Sequence, residues 1–344
     1  MEAFGHIKGT AEMNVITRRR EELLMYMPPL TQGKEKLEAY WQPQLQAASA
    51  KPLRGARNRT EDDFFPGTEV YRVSYEGYDD TPLHGWFMVP PVRSSDKLPC
   101  IVIYPGYTSD SGYPDKHASW LLQGFCVFAV DVRGQGGETG NRLQADSGQS
   151  KGWITQGIAD GGTPYYLAVL IDALRAIEFA AEQPEVDPAR IVAAGASQGG
   201  GLALGAAALS GMGREAAAAG TPPSFTPVRA VLADIPNLCH LDYAIMHSTG
   251  SMTEAARYLN RYPDRLPDVL CNLARFDMMN LACCIKAPVL MSVGWKDTVC
   301  PPETVYAAYN RIHAVKAIRD YPFAGHEVPS YHSLERMRFL QKHL

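Results

Sequence analysis

One short stretch in the middle of the chain constrains the fold more than any other feature. Residues 191–194 form an apolar run that predicts a buried strand, and the run leads into the pentapeptide Gly195–Gly199, which is centred on Ser197. A helix-forming run of small residues, 202–209, follows. A strand that turns tightly into a helix holds the central serine in a strained conformation with its hydroxyl exposed, and the flanking glycines avoid clashes. The stretch therefore predicts a serine nucleophile.

The pentapeptide pattern is weak by itself, because the chain contains a second copy, Gly148–Gly152, centred on Ser150. The polar residues 141–147 precede that copy, so it does not follow a predicted strand. Context and not the pattern distinguishes the two serines. We therefore interpret Ser150 as a loop residue and Ser197 as the nucleophile.

Apolar runs alternate with helical patterns along most of the chain. Such alternation predicts an α/β fold, with a mainly parallel central sheet covered by helices on both faces. In sheets of this kind the active site lies at the carboxyl ends of the strands. The apolar runs lie at residues 100–104, 125–132, 191–194, 228–233, 287–293 and 317–321, and the helical patterns at 116–123, 165–182, 303–313 and 331–343.

The remaining segments have other patterns. Residues 1–60 are polar and helix-prone in pieces, and we interpret them as an N-terminal helical extension. Two alternating runs within residues 69–89 predict a β-hairpin. Residues 61–344 would form the catalytic domain, so that the chain is a single domain overall. Gly211–Pro227 is rich in Gly, Ala and Pro, and we interpret it as a long loop.

Composition excludes several classes of function. The chain of 344 residues is 46% apolar and 20% charged with a net charge of −4, which is typical of a globular protein and argues against nucleic-acid or membrane partners. No apolar run reaches the length of a transmembrane helix. Seven cysteines without a Cys-x-x-Cys spacing indicate free thiols and a cytoplasmic location. His326–Glu327 is not a zinc motif, because residue 330, where such a motif would need a second histidine, is serine.

A serine hydroxyl needs a base that accepts its proton and a carboxylate that orients the base. In α/β-hydrolases the acid and then the histidine follow the serine along the chain. Asp297 lies on a loop just past the predicted strand 287–293, and we interpret it as the acid. Asp234, which follows the predicted strand 228–233, is the alternative acid.

The predicted base is His326, just past the last predicted strand at 317–321. We expect Gly325 to let this loop bring the imidazole up to Ser197. His332 lies inside the last predicted helix, and we place it on the surface.

An ester carbonyl under attack develops negative charge on its oxygen, which two main-chain N–H groups can stabilise. The N–H of Gln198, directly after the nucleophile, is one predicted donor. The loop after the strand at 100–104 would supply the other, and we assign it to the N–H of Tyr107. The alternative is that Tyr107 only forms a wall of the pocket.

Three motifs in order resemble those of the acetyl xylan esterase/cephalosporin C deacetylase family, carbohydrate esterase family seven of the α/β-hydrolases. They are Arg133–Gln135, Gly195–Gly199 and His326–Glu327. The resemblance extends over nearly all of the chain from about Met27 on. Further similar stretches lie at residues 152–158, 184–187, 276–281 and 306–310.

The resemblance implies an intracellular serine esterase that removes acetyl groups from small acetylated sugars and from cephalosporin-type esters, without a metal or a cofactor. It implies a triad of Ser197, Asp297 and His326, with the N–H groups of Tyr107 and Gln198 as the oxyanion hole. It also implies a homohexamer whose active sites face an internal cavity.

The chain departs from the family pattern in three places. The residues before about Val15 look like an additional N-terminal piece, and Gly211–Pro227 looks longer than usual. Pro105 stands where some members have histidine. We interpret Arg133 as a structural residue whose guanidinium ties strand-end loops together.

Two alternative functions remain open at this point. The first is another ester hydrolase, either a general short-chain carboxylesterase or a dienelactone-type hydrolase. The serine at position 197 disfavours the dienelactone-type hydrolase, which would normally have cysteine there. The second is a non-catalytic ligand-binding protein on a hydrolase fold. Such proteins usually lack the acid or the base, whereas this sequence supplies both.

Overall fold

The alternation of apolar runs and helical patterns corresponds to nine strands in the part of the chain that the structure describes. The computed structural model describes residues 14–61, 64–145, 151–159, 163–220 and 225–344. The strands are β1 (Ala56–Arg59), β2 (Glu69–Glu76), β3 (Pro82–Val89), β4 (Leu98–Tyr104), β5 (Cys126–Val130), β6 (Val186–Ala196), β7 (Ala230–Asp234), β8 (Val289–Gly294) and β9 (Lys316–Tyr321).

Helices follow most of the strands. Among the described residues, none of them is long and apolar enough to cross a bilayer. The α-helices are α1 (Val15–Leu24), α2 (Lys34–Ala50), α3 (Ala118–Leu122), α4 (Tyr165–Ala181), α5 (Gln198–Ala218), α6 (Leu241–His247), α7 (Met252–Arg261), α8 (Leu266–Ala274), α9 (Met278–Leu281), α10 (Pro302–Tyr309) and α11 (His332–His343).

The strands form one sheet in the order β1-β2-β3-β5-β4-β6-β7-β8-β9. The contacts from β5 through β4 to β9 are parallel, while β1, β2, β3 and β5 pair antiparallel. The mainly parallel sheet and the predicted hairpin of β2 and β3 are therefore confirmed. Because β6, β7, β8 and β9 lie side by side and point the same way, the residues that follow them meet at one edge of the sheet.

Apolar side chains cover both faces of the sheet. On one face, Val102 of β4 and Val231 of β7 belong to a large core that includes most of α4 and α5. On the other face, Ile101 and Leu232 belong to a smaller core that includes residues of α3 and α11. This two-sided burial explains why the central strands read as continuous apolar runs in the sequence.

The prediction that residues 1–60 are helical is wrong at its end, because β1 pairs antiparallel with β2 there. The strand is polar and largely exposed, so it lacks the apolar alternation that would have identified it. Interactions of Arg57 hold it instead: its guanidinium donates to the Glu185 carboxylate at 2.8 and 3.0 Å and lies over the ring of Tyr71. Residues 1–13 lie outside the described residues.

The prediction of a long loop over Gly211–Pro227 is wrong for residues 211–218, because α5 continues to Ala218. The alanines near its end have the highest helix propensity of all residues. Gly211, which suggested a break, is required by packing: a Cβ on it would lie 2.1 Å from the carbonyl oxygen of Cys284. Residues 221–224 lie outside the described residues.

Candidate active site

The turn between β6 and α5 has the predicted geometry of a strained serine between two crowded glycines. Ser197 has φ 57° and ψ −122°, a conformation that non-glycine residues rarely adopt. A Cβ on Gly195 would lie 2.3 Å from the carbonyl carbon of Gly199, and one on Gly199 would lie 2.0 Å from the carbonyl oxygen of Tyr104. Only glycine fits at either side of the serine.

Neighbouring loops hold this strained turn in place. The Ser197 N–H donates to the carbonyl of Asp234 at 2.9 Å, and the Ser197 carbonyl accepts from the N–H groups of Asn237 at 2.9 Å and Gly201 at 3.1 Å. The main-chain groups of the serine are therefore satisfied by β7, by the loop that follows it and by α5.

The structure brings the three predicted side chains together in a chain of hydrogen bonds. His326 Nδ1 lies 2.8 Å from Asp297 Oδ2, and His326 Nε2 lies 3.0 Å from Ser197 Oγ. The side chain of Asp297 is fully buried, and its other oxygen accepts from the N–H groups of Val299 and Cys300, both at 2.8 Å. These two bonds fix the carboxylate so that it can orient the imidazole.

The loop that carries His326 comes close to its neighbour at Gly294, and not at Gly325 as expected. Space beside Gly325 is open, since the nearest atom to a Cβ there would be the Lys296 carbonyl oxygen at 3.8 Å. The close approach occurs at Gly294, where a Cβ would lie 2.3 Å from the carbonyl oxygen of Gly325. The glycine at the end of β8 thus lets the two loops meet.

The two predicted N–H donors lie on the segments that flank Ser197. Gln198 is the first residue of α5, and Gly106, the neighbour of Tyr107, lines the same cavity as Ser197. Within the described part of the chain, no acceptor engages the N–H of Tyr107 or of Gln198. Both N–H groups are therefore unpaired, as the predicted role requires. The positive end of the α5 dipole favours negative charge at this place.

Ser197 opens into a cavity of about 480 Å³. This volume lies within the range of small-molecule sites. Two larger clefts, of about 880 and 750 Å³, are lined mainly by residues of α2, α8 and nearby loops and do not contain Ser197. The side chains that line the Ser197 cavity include Trp120, His326, Glu327, Val328 and Arg336.

A cysteine thiol lies against the triad. Donor atoms of Asp297, Cys300 and His326 lie within 4.8 Å of one another, the one such group of possible metal ligands among the described residues. Burial, reinforced by the neighbouring Asp297, raises the pKa of the Cys300 thiol well above its usual value. Cys300 is therefore protonated at neutral pH and does not compete with Ser197 as a nucleophile.

A sequence model of the acetyl xylan esterase (AXE1) family matches residues 13–343. The chain belongs to the acetyl xylan esterase family. This membership confirms the resemblance seen in the three sequence motifs, and it makes the protein a carboxylic ester hydrolase with an α/β-hydrolase fold.

Solved and curated relatives agree with the assignment to the acetyl xylan esterase family. The chain is 36% identical to the acetyl xylan esterase from Paenibacillus sp. R4, with a TM-score of 0.86 over 94% of this chain and 99% of that one. It is 28% identical to acetyl xylan esterase 1 from Thermoanaerobacterium sp. JW/SL YS485, with a TM-score of 0.84 over 94% and 98%. It is 23% identical to the acetyl esterase Axe7A of Xylanibacter ruminicola, over 92% of this chain and 69% of that protein.

Arg133, in the first motif of this acetyl xylan esterase family member, has the predicted structural position. Its fully buried guanidinium donates to both oxygens of Asp172 on α4, at 2.5 and 2.8 Å, and to Asp79 in the β2–β3 turn at 3.1 Å. Burial alone would lower the pKa of Arg133, but the two carboxylates outweigh burial and raise it. Arg133 therefore joins the sheet edge, α4 and the hairpin.

The alternative acid, Asp234, lies in a different cluster, and the expectation that His332 lies on the surface is wrong. His332 is fully buried, and its Nε2 lies 2.6 Å from Asp234 Oδ1. Arg336 also contacts the Asp234 carboxylate, and Ser292 donates to it at 2.8 Å. The first turn of α11 faces β7, and the buried carboxylate there attracts both basic side chains.

Sequence reasoning assigned no role to Gln135 or Glu254, although each contacts the side chain of a residue whose N–H is a predicted oxyanion donor. Gln135 is buried against Gln198, and Glu254 accepts a hydrogen bond from the Tyr107 hydroxyl at 2.5 Å. Gln135 belongs to the first motif, which was a signal that it matters. Glu254 lies on α7, far from the motifs, and no sequence pattern pointed to it.

The second pentapeptide serine, Ser150, lies outside the described residues, so its assignment to a loop stays a prediction.

Proposed function

We propose that this protein removes acetyl groups from small O-acetylated xylo-oligosaccharides and from cephalosporin C-type esters through an acyl-Ser197 intermediate. The observation that carries the proposal is the hydrogen-bonded chain Asp297–His326–Ser197, with distances of 2.8 and 3.0 Å, at a cavity in a member of the acetyl xylan esterase family. The names of its relatives, acetyl xylan esterase and acetyl esterase, support acetyl as the acyl group.

In the first half of the reaction, Ser197 Oγ bonds to the acetyl carbonyl carbon while His326 Nε2 takes the hydroxyl proton. The carbonyl π electrons move to its oxygen, where the N–H groups of Tyr107 and Gln198 would stabilise the negative charge. The bond from the carbonyl carbon to the sugar oxygen then breaks, and that oxygen takes the proton from the imidazolium. The products are the deacetylated sugar and acetyl-Ser197.

In the second half, His326 removes a proton from water, whose oxygen attacks the acetyl carbonyl carbon. The second tetrahedral intermediate collapses as the bond from the carbonyl carbon to Ser197 Oγ breaks, and Oγ takes the proton from the imidazolium. Acetic acid leaves and loses its own proton to water, which gives acetate. Asp297 stabilises the imidazolium in both halves without taking up its proton. Because the Asp297 side chain is fully buried, water screens its interaction with the imidazole only weakly.

We further propose a single-domain subunit that assembles as a homohexamer in the cytoplasm. The resemblance to carbohydrate esterase family seven supports the hexamer, and seven free thiols support a reducing compartment. Size-exclusion chromatography with light scattering measures the mass directly. A monomer of 37.8 kDa at all concentrations would contradict the assembly.

The first test is a measurement of kcat/KM for p-nitrophenyl acetate, butyrate and octanoate. We expect a strong preference for acetate, and a loss of about 10⁵-fold in Ser197→Ala. Ser150→Ala is the matched control, because it removes the serine of the other pentapeptide and should retain wild-type activity. Equal turnover of octanoate would favour a general carboxylesterase, and full activity in Ser197→Ala would remove Ser197 as the nucleophile.

The second test concerns the alcohol side of the ester. Acetate release is measured from acetylated xylobiose, from acetylated polymeric xylan and from cephalosporin C, at matched ester concentrations. We expect the disaccharide and cephalosporin C to react faster than the polymer. A preference for polymeric xylan would contradict the proposed substrate class while leaving the esterase chemistry intact.

A further inference from the structure

Two buried glutamine side chains form a reciprocal amide pair beneath the nucleophile. Gln135 Nε2 donates to Gln198 Oε1 at 3.0 Å, and Gln198 Nε2 donates to Gln135 Oε1 at 3.0 Å. Both residues are buried, Gln198 completely. Two hydrogen bonds therefore join the two side-chain amide groups, one in each direction. Neither side chain can rotate without breaking both bonds.

The orientation of the Gln135 amide follows from its neighbours. The Tyr165 hydroxyl donates to the Arg133 carbonyl at 2.6 Å, so it must accept from Gln135 Nε2, which lies 2.9 Å away. Gln135 Oε1 is therefore directed to the N–H of Thr108, which donates to it at 2.9 Å. All four polar groups of the amide pair have partners, so the arrangement is uniquely specified.

This arrangement places Gln135 between the two segments that carry the proposed oxyanion donors. It binds the side chain of Gln198, whose N–H is one donor, and the N–H of Thr108, which follows directly after Tyr107. Thr108 has φ 66°, an unfavourable backbone conformation for a β-branched residue. The hydrogen bond to Gln135 therefore holds a strained turn that sets the direction of the Tyr107 N–H.

Glu254 fixes the same turn from the other side. The Tyr107 hydroxyl donates to Glu254 Oε2 at 2.5 Å and accepts from the N–H of Trp153 at 3.0 Å. The rings of Tyr107 and Trp153 meet edge to face with centroids 5.4 Å apart. The side chain of Tyr107 is thus anchored to α7, while its main chain is anchored through Thr108.

We propose that Gln135 and Glu254 are positioning residues that hold the N–H groups of Tyr107 and Gln198 at the spacing an oxyanion requires. This inference rests on the proposed esterase function. Oxyanion donors act only when they lie within about 2.7–3.1 Å of the developing charge. A small shift of the turn would weaken transition-state binding and leave binding of the neutral ester largely unchanged.

The experiment compares Gln135→Met with Gln156→Met. Gln156 is a matched control because it is equally buried and bonds through its side chain to Asn141 and Leu143, and not to the nucleophile turn. For Gln135→Met we expect kcat for p-nitrophenyl acetate to fall about 10- to 100-fold with KM nearly unchanged. Gln156→Met should lower the melting temperature and retain kcat.

A transition-state analogue separates positioning from general loss of stability. A boronic acid forms an anionic tetrahedral adduct on the serine and so mimics the transition state. Its Ki should rise in Gln135→Met by the same factor as kcat falls. The Ki of the product acetate should not change. Glu254→Leu should behave in the same way, and Glu254→Gln, which keeps an acceptor for the Tyr107 hydroxyl, should recover most of the activity.

Coupling between the two sites completes the test. Because both side chains hold the same turn, the double variant Gln135→Met/Glu254→Leu should lose less kcat than the product of the two single losses. If Gln135→Met does not fold, Gln198→Met removes the partner amide instead. If folded Gln135 and Glu254 variants retain kcat and boronic acid affinity, the positioning role is overturned. If the wild-type protein shows no ester turnover, the proposed function itself is overturned.

Discussion

His332 Nε2 lies 2.6 Å from Asp234 Oδ1 in the interior, and of the two pairs Asp234–His332 and Asp297–His326 only the second reaches Ser197. The carbonyl oxygen of Asp234 accepts the N–H of Ser197, while its carboxylate binds His332 and Arg336 at the start of α11. This pair therefore connects the nucleophile turn to the C-terminal helix. We interpret it as a structural brace beside the triad.

Substitution of each aspartate by asparagine distinguishes the two pairs. Asp297→Asn should lower kcat by about 10⁴-fold, because the amide no longer stabilises the imidazolium, and should leave the fold intact. Asp234→Asn should lower the free energy of unfolding and keep kcat within about tenfold of wild type. Steady-state hydrolysis of p-nitrophenyl acetate and urea denaturation measure the two effects. The reverse pattern would make Asp234 the catalytic acid.

The Asp234 pair also predicts a dependence of stability on pH. Burial acts to raise the pKa of Asp234, but His332, Arg336 and Ser292 outweigh burial and lower it below the usual value. The unfolded chain therefore binds the proton first on acidification, so the stabilisation is complete above the unfolded pKa of about 3.9 and is lost as the pH falls through the folded pKa. Urea midpoints should fall more steeply below about pH 4 in wild type than in Asp234→Asn. Parallel curves would contradict this.

The sequence identified the catalytic geometry because each element of the site directly follows an apolar strand. Ser197, Asp297 and His326 each lie just past a strand end, and a parallel sheet brings strand ends to one edge whatever the intervening loops do. The strain at Ser197 was also predictable, since the flanking glycines are a local signal. Local pattern and topology together therefore predicted which three side chains would meet at this edge of the sheet.

Features that depend on packing between distant elements were not predictable. His332 is polar and lies in an amphipathic helix, and only the docking of α11 on β7 buries it against Asp234. The end of α5 was misread because residues 211–227 are rich in Gly, Ala and Pro, as loops are, whereas Gly211 allows a close contact with Cys284. Gln135 stood in a known motif, but its partner Gln198 is 63 residues away, so their pairing appears only in the fold.

Arg133 should be sensitive even to conservative substitution. Arg133→Met leaves the Asp172 and Asp79 carboxylates without their buried partner, and removal of one member of a buried ion pair costs about 3–5 kcal/mol. Arg133→Lys should recover only part of this, because an ammonium cannot match the bidentate contact with Asp172. Urea denaturation measures both. Arg190→Met, which breaks a half-exposed pair with Asp187, is the control and should cost less than about 1 kcal/mol. Equal losses at both positions would contradict the role of Arg133.

The glycines of the nucleophile turn should not tolerate alanine. In Gly199→Ala the new methyl group would lie 2.0 Å from the Tyr104 carbonyl oxygen, a fixed main-chain atom, so β4 and α5 would have to separate. We expect loss of esterase activity together with a large drop in melting temperature. Gly33→Ala is the control, because nothing lies within 4 Å of a Cβ there, and it should keep both. An active and stable Gly199→Ala protein would show that the turn is less crowded than described.

Cysteine alkylation should modify the protein without inactivating it. A hydrogen bond from Cys284 lowers the pKa of Cys283 to about 6, and Lys34 and His313 add to the effect against partial burial. Cys283 is partly buried, so iodoacetamide at pH 7 should label it as well as the exposed Cys271, with a rate at Cys283 that falls below about pH 6 as the thiolate is protonated. Peptide mass spectrometry locates the label, and Cys283→Ser is the control. Cys300 should remain unlabelled because it is buried and its pKa is raised, so ester hydrolysis should persist. Labelling of Cys300 with a parallel loss of activity would mean that this thiol beside Ser197 is accessible and reactive.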